Sequence, residues 1–421
     1  MSINPARRTY AGHGSWTLRV VTWLYIVGLA VMLSLWGAFL ARQTSLLGYS
    51  YRYDFLCGYV GARAIVTGNS GKLYDLSEQH LLSDAAIAPY QRSRLLPFVY
   101  PAYVALLIAP LGWLSYSHAF LLWDGINLAL ALILSVRLSQ LGSGKREKMA
   151  LFLAAWTAMP LLLTLLHAQF GMLPALGLSE ALLALRAGRS ARAGAWLLLG
   201  LIKPQLIVAP VFALLCWRCW RALGPFVAGT CVLAAASFAA LGFWIPAYLG
   251  LLAEFERLGP ELSLYPGAMQ NWRGAAWVAF GPHGTLFTLF LTGLSILLIL
   301  MLAWRRSHWE LRLAAIVLLG LLISPHLYLH DLVITIPAGT FLYLGLRSNQ
   351  SITAGFLRGA LALSPVVFFL AQTGSLGPVQ IAPWYLLAVV LLTVVVVRER
   401  SGFTEMDSPA APATLGACST S

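Results

Sequence analysis

The chain has 421 residues, 59% hydrophobic and only 10% charged, with a mean hydropathy of +0.77. A soluble globular chain is about a quarter charged, so a soluble domain is excluded; the apolar runs are continuous rather than alternating, which excludes a barrel. The net charge of +13, from 28 Lys+Arg against 15 Asp+Glu, lies mostly in short loops between apolar runs and reads as a topology signal rather than a nucleic-acid surface.

In chain order, apolar runs fall near 18–40, 99–116, 119–138, 149–166, 172–186, 191–202, 205–217, 224–250, 285–304, 311–323, 329–346, 356–372 and 381–397. The first follows Arg7, Arg8 and Arg19. It is too long for a signal-peptide core and no A-x-A site follows it, so it reads as an uncleaved span behind a cytoplasmic segment, 1–17. Basic clusters stand at Lys145/Arg146/Lys148, Arg186/Arg189/Arg192, Arg218/Arg221, Arg305/Arg306, Arg347/Arg358 and Arg398/Arg400. If all face the cytoplasm, the chain must cross an odd number of times between the outer loop 41–98 and residue 145. Two runs lie there, so either one is not a full span or there are 13 spans with a basic loop on the wrong side; the first reading is taken. "VYPAYVALLIAPLGWLSY" (99–116), with Pro101 and Pro110, fits a re-entrant or interfacial half-helix.

The expected fold is thus an all-α polytopic membrane domain over 18–398, with about 12 transmembrane helices plus a half-helix. Ordered outer loops are expected at 41–98 and 251–281, both termini in the cytoplasm, and a disordered Ser/Ala/Pro-rich tail at 399–421. Asp75-Leu-Ser-Glu78 has the form of a capping box opening a short helix that stops before Pro89, and "GNSG" at 68–71 signals a turn. Cys216 and Cys219 form a C-x-x-C at a helix end with no second ligand pair, which reads as structural rather than as zinc.

With this topology the unusual polar residues share the outer side: Asp54 beside Tyr53 in "SYRYDFLCGY", His167 and Gln169 in "LLHAQFG", Lys203 in "GLIKPQL", Gln270, Asn271 and Arg273 in "MQNWRG", and His326, His330 and Asp331 in "SPHLYLHD". Acid, base and cation drawn from distant segments make a candidate membrane active site. Lys203 has no other charge nearby; it either faces a polar partner or snorkels to the outer interface. His330–Asp331 is either a satisfied couple at a helix start or part of the site. His326 and His330 share a face only if the segment after Pro325 is helical. His167 reads equally as core or as site, and Asp124, within a span, as locally paired with Asn127. Asp54 is either a solvated loop carboxylate or a general base raised in pKa by burial among Tyr53, Phe55 and Tyr59, with Gly58 permitting a turn.

"YDFLCGYVGARAIVTGNSGKLYD", "FVYPAYVALLIAPLGWL", "HAQFGMLPALGL", "GAWLLLGLIKPQLIVAPVFALL", "MQNWRG" and "SPHLYLHDLV", in this order, resemble glycosyltransferase family 87, from residue 45 to residue 345. That family holds polyprenyl-phosphate-mannose-dependent mannosyltransferases and related arabinofuranosyltransferases. The resemblance implies a GT-C fold and a lipid-phosphate sugar donor in a groove open to the bilayer. It matches Asp54 to the catalytic base, Lys203 to a lysine before proline, and His330, or less closely His326, to an outer histidine. "YPAY" departs from the two consecutive prolines usual there, and "HAQFG" from a G-Q-x-N-like run.

The expected activity is sugar transfer from a polyprenyl-phosphate donor to a hydroxyl of a glycan or glycolipid on the outer face of an inner or plasma membrane. Asp54 is the expected base, Lys203, Arg273 and His330 the groups facing donor phosphate, and one displacement predicts inversion. With no D-x-D pair to hold a nucleotide-sugar–metal complex, no obligatory metal or other cofactor is expected, and no nucleic-acid partner. The rival readings are a transporter or flippase of a lipid-linked sugar, which needs polar groups near the midplane, and a non-catalytic membrane subunit, which has no need of Asp54.

Overall fold

The computed structural model describes residues 54–372 except Gln91 and Ser93, residues 380–406 (from 401 the backbone alone), and Trp23, Val27, Ala30 and Ser34. Segment 1–17, most of the expected span 18–40, Tyr53 and the tail beyond 406 lie outside the described residues. Among the described residues every element is an α-helix or a 3-10 turn.

Among the described residues, five helices are long and apolar enough to cross a bilayer: Tyr116–Ser139, Trp220–Leu241, Trp272–Ala303, Ile352–Gln372 and Ile381–Arg400. Lys145–Trp156 and Met159–Leu166, bent by 47°, make a sixth if counted as one broken span. A span needs about 20 residues. Several expected spans are shorter: Met172–Arg186 has 15 residues, Val208–Cys216 nine, Trp309–Ile323 15 and Thr335–Gly345 11. The structure therefore carries the all-helical membrane class without a count of twelve full-length helices. Hydropathy averages across breaks that Lys203-Pro204 and Ser324-Pro325 impose on the backbone.

Run 99–116 is too short to span. It folds as Ala102–Ile108 continued by a 3-10 turn, Ala109–Trp113, about 20 Å of helix against a hydrocarbon core of about 30 Å. It packs on the Phe55–Val66 helix, where Arg63 Nη1 donates to the Gly112 carbonyl at 2.9 Å and Tyr59 OH to the Leu114 carbonyl at 2.7 Å. A Cβ at Gly112 would meet the Ala62 carbonyl oxygen at 2.6 Å, so only glycine permits this approach.

The described part of the first loop, from residue 54 to residue 98, is folded. Gly68, at φ +80°, turns the chain, and the Asp75 carboxylate caps Leu76–Ile87 by accepting from Glu78 N at 2.9 Å. The return arm of the expected capping box does not form, because the Glu78 carboxylate accepts from Asn69 Nδ2 at 2.6 Å and lies 3.7 Å from Lys72. Buried Gln79 ties the loop together, donating to Leu73 O and accepting from Phe98 N.

The basic clusters sit at the opposite helix ends. Arg137 grips Glu180 at 2.5 and 2.9 Å, Glu147 accepts from Arg347 and Tyr343, and Arg186 lies 3.5 Å from Glu310. Cys216 is exposed while Cys219 is buried. Asp124 is not paired with Asn127, whose amide instead donates to the Gln169 carbonyl at 2.9 Å.

Candidate active site

Four interruptions in the helices place the polar residues. Asp54 is the N-cap of Phe55–Val66. His167 ends Met159–Leu166, and Ala168, at φ +46°, turns the chain so that Gln169 follows in a new direction. Lys203 is the joint between the 3-10 turns Leu198–Ile202 and Pro204–Leu206, where proline ends the preceding turn. His330 and Asp331 open the 3-10 turn Leu329–Ile334. The apolar clusters around Phe55, Phe98, Phe170 and Ile202, around Leu327, Leu332 and Val333, and around Phe255, Leu264 and Met269 bring these breaks together.

The result is a closed ring of contacts. Gln169 Nε2 donates to Asp54 Oδ2 at 2.6 Å, and Gln169 Oε1 accepts from Lys203 Nζ at 3.0 Å. Lys203 Nζ also donates to Asp331 Oδ1 at 2.6 Å. Asp331 Oδ2 is 3.6 Å from His330 Nε2, and His330 Nδ1 is 4.0 Å from Asp54 Oδ2. His167 Nδ1 approaches the same Asp54 oxygen at 3.6 Å. Lys203 and Asp331 are 5% and 3% exposed, so Lys203 does not snorkel. Asp331 further accepts from Tyr328 N, and Thr164 Oγ1 from one segment meets the His330 carbonyl of another at 2.9 Å.

An aspartate at an N-cap normally accepts from the first-turn amides of its own helix. Asp54 makes no such bond, and its carboxylate is turned into the ring instead. Behind it, Phe55 packs among Tyr59, Tyr116, Phe120, Trp123 and Phe170, the apolar setting expected. The expected rise in its pKa is overturned. Burial pushes the carboxyl up, but His167 and His330, the Gln169 hydrogen bond and Lys203 together outweigh it and hold Asp54 below its ordinary value. Gly58 corrects a second expectation: it lies within a helix, not a turn, and leaves room for the Phe170 ring.

The ring forms one wall of a cavity of about 1320 Å³, whose other walls include Tyr100, Arg92, Arg94, Tyr248, Glu256, Tyr265, Gln270, Tyr328 and Gln380. Gln270 is 4% exposed, and its Oε1 accepts no hydrogen bond from the described residues. Arg273 is not in this wall, as both its terminal nitrogens are engaged by Glu256 at 2.8 and 2.7 Å. Asn271 is structural: it caps Trp272–Phe280 and donates to Ser324 O. Residues 324–328 are not helical, so His326 and His330 share no face. His326 stacks on Phe255 and lies 3.2 Å from Glu256. His326, against partial burial and with help from Arg273, holds the Glu256 carboxyl down to about 2.

The profile described as glycosyltransferase family 87 matches residues 98–325, over half of the chain. The chain belongs to glycosyltransferase family 87. It is similar to the polyprenol-phosphate-mannose-dependent alpha-(1-2)-phosphatidylinositol pentamannoside mannosyltransferase of Mycolicibacterium smegmatis, at 29% identity over 310 residues, 69% of this chain and 72% of that protein. The protein of the same description from Mycobacterium tuberculosis (strain CDC 1551 / Oshkosh) is 28% identical over 263 residues, 58% of this chain and 57% of that one. No solved structure matches the chain.

The family 87 match holds His167, Gln169 and Lys203; His330 and Asp331 fall just past its end, and Asp54 lies well before its start. Arg92, Arg94 and Glu256 are cavity residues that the sequence reading did not assign. The two arginines carried a signal: the expected topology puts them on the outer side, where cations are disfavoured by the same rule that singled out Lys203.

Proposed function

We propose that this family 87 member is an integral-membrane transferase with a GT-C-type architecture of about 12 membrane segments, several of them short or broken helices rather than full-length spans, moving a mannose-like or arabinofuranose-like sugar. The donor is a polyprenyl-phosphate sugar and the acceptor a hydroxyl of a glycan or glycolipid. The observation that carries this reading is Asp54: a helix-capping carboxylate that does not cap, held at the wall of a large cavity by Gln169. The site faces the periplasm or cell exterior in this reading, because helices that begin or end beside it run to basic clusters at their other ends.

In the proposed step the acceptor oxygen attacks the anomeric carbon while the bond from that carbon to the phosphate oxygen breaks. Asp54 takes the hydroxyl proton, and the polyprenyl phosphate leaves as an anion that needs no general acid. One displacement inverts the anomeric centre. No obligatory metal ion belongs to the proposed step, since the sequence has no D-x-D pair to hold a nucleotide-sugar–metal complex. Charge on the leaving phosphate is met by Arg92 and Arg94, the cavity-wall guanidiniums; Arg94 also donates to Tyr265 OH at 2.7 Å. Lys203 serves less as an open cation than as the clamp that fixes Gln169, and through it Asp54.

The test is transfer by the purified full chain in detergent from radiolabelled polyprenyl-phosphate mannose, beside the same sugar on a nucleotide, to membrane glycolipid acceptors. Label appearing in glycolipid from the lipid donor alone is the expected result. Equal transfer from the nucleotide sugar, with no lipid intermediate, sinks the donor assignment.

A further inference from the structure

A second pocket, of about 470 Å³, lies between the end of the helix that closes at Ala303 and the later turns of Ile381–Met406. On that second helix it begins at Val394, roughly 20 Å along from cavity residue Gln380, toward the opposite face of the bundle. Its walls are apolar at Leu300, Leu302, Val394 and Val397, and cationic at Arg305, Arg312 and Arg398. None of the three arginines is ion-paired with a carboxylate among the described residues.

Arg312 is 7% exposed and sits in the first turn of Trp309–Ile323, where the helix dipole disfavours a cation. It donates to Ser307 O at 2.8 Å and Leu302 O at 3.2 Å. Those bonds account for its position, since they satisfy the Leu302 carbonyl at the end of the preceding helix and the Ser307 carbonyl in the turn between the two helices. They leave its charge buried without an anion, which is costly. They also leave Arg305 and Arg398 unexplained; among the described residues the one hydrogen-bond contact of the Arg398 guanidinium is Met301 Sδ, at 3.9 Å.

We propose that this pocket binds the headgroup of an anionic phospholipid, in the leaflet opposite the active-site cavity. Guanidiniums match a phosphate in fork geometry, and basic pockets between membrane helices take such headgroups. A lipid is favoured over free phosphate because the walls are apolar and the rim is an interfacial one: Trp304 is 86% exposed at the helix end, beside exposed Leu300 and Met301. The assignment does not depend on which sugar the cavity handles.

Native mass spectrometry of the full chain in neutral detergent tests it, with phosphatidylglycerol or phosphatidylcholine added to wild type, to Arg305→Gln/Arg398→Gln and to Arg305→Lys/Arg398→Lys. Arg312 is left in place so that the helix end stays capped. Wild type should retain phosphatidylglycerol over phosphatidylcholine; the Gln pair should weaken that retention by about tenfold or more, and the Lys pair by less. Both pairs should melt at the wild-type temperature in lipid-free detergent. Equal retention of the two lipids, undiminished retention by the Gln pair, or displacement of the lipid by millimolar inorganic phosphate overturns the proposal.

Discussion

The Lys203 ammonium lies 2.6 Å from the Asp331 carboxylate, with both residues at most 5% exposed. Removing one member of a buried pair leaves the other charge uncompensated, at about 3–5 kcal/mol. Lys203→Met should therefore lose both activity and stability, and loss of activity alone does not assign Lys203 to the donor phosphate. Adding Asp331→Asn to Lys203→Met should restore most of the melting temperature and little of the activity. Calorimetry beside the transfer assay separates the two; a double variant as unstable as Lys203→Met contradicts the pairing.

Gln169 is the bridge between Asp54 and that pair. Gln169→Leu removes a donor from Asp54 and an acceptor from Lys203, an expected cost of about 1–3 kcal/mol. It also takes away one of the contacts that lower the Asp54 pKa, so the acid limb of the pH–rate profile should move to higher pH. The sign for stability follows from the same shift. A carboxyl lowered on folding contributes stability that is complete above its unfolded value and is lost as pH falls through the folded one. An acid limb unchanged in Gln169→Leu contradicts this role.

Gly58→Ala tests the packing behind the site. A Cβ there would lie 2.7 Å from Phe170 Cε2, and the Phe170 ring is fully buried, so it has little room to yield. Overpacking of this kind costs about 1–3 kcal/mol, and Phe170 directly follows Gln169. A lower melting temperature with reduced transfer is expected; a variant as stable and active as wild type contradicts it.

Arg94 and Arg273 divide the donor-phosphate assignment. Arg94→Ala should raise KM for the polyprenyl-phosphate donor several-fold, roughly the effect of losing one charge-assisted contact of about 1.5–3 kcal/mol less solvent screening. Arg273→Ala should leave that KM close to wild type, because Arg273 spends both terminal nitrogens on Glu256. Donor titrations of the two variants decide, and the reverse ranking restores Arg273 to the phosphate.

The class of fold was legible because bilayer-length apolar runs permit little else, and the half-helix at 99–116 because charge parity required a run that does not cross. The membership of the ring was legible in part. Asp54, Lys203, His330, Asp331, His167 and Gln169 stood out as polar groups next to apolar runs, and they do converge. What the sequence could not carry was who pairs with whom. A lysine at residue 203 and an aspartate at residue 331 are each unusual, but only the turns at Pro204 and after Pro325 decide that they face each other rather than the donor. Arg273 and Arg94 illustrate the same point, since a carboxylate one helix away, Glu256, occupies the first and leaves the second in the cavity wall. The direction of the Asp54 shift was missed for this reason as well: burial was foreseeable, and the neighbours that outweigh it were not.

The central claim is that Asp54 is the base, and the most direct measurement is the transfer rate of Asp54→Asn from polyprenyl-phosphate mannose at saturating donor. The substitution keeps an oxygen that can accept from Gln169, so fold and melting temperature should hold. Turnover should fall by about 10²–10⁴-fold, the contribution of a positioned general base. A folded Asp54→Asn protein that transfers sugar as fast as wild type contradicts the account.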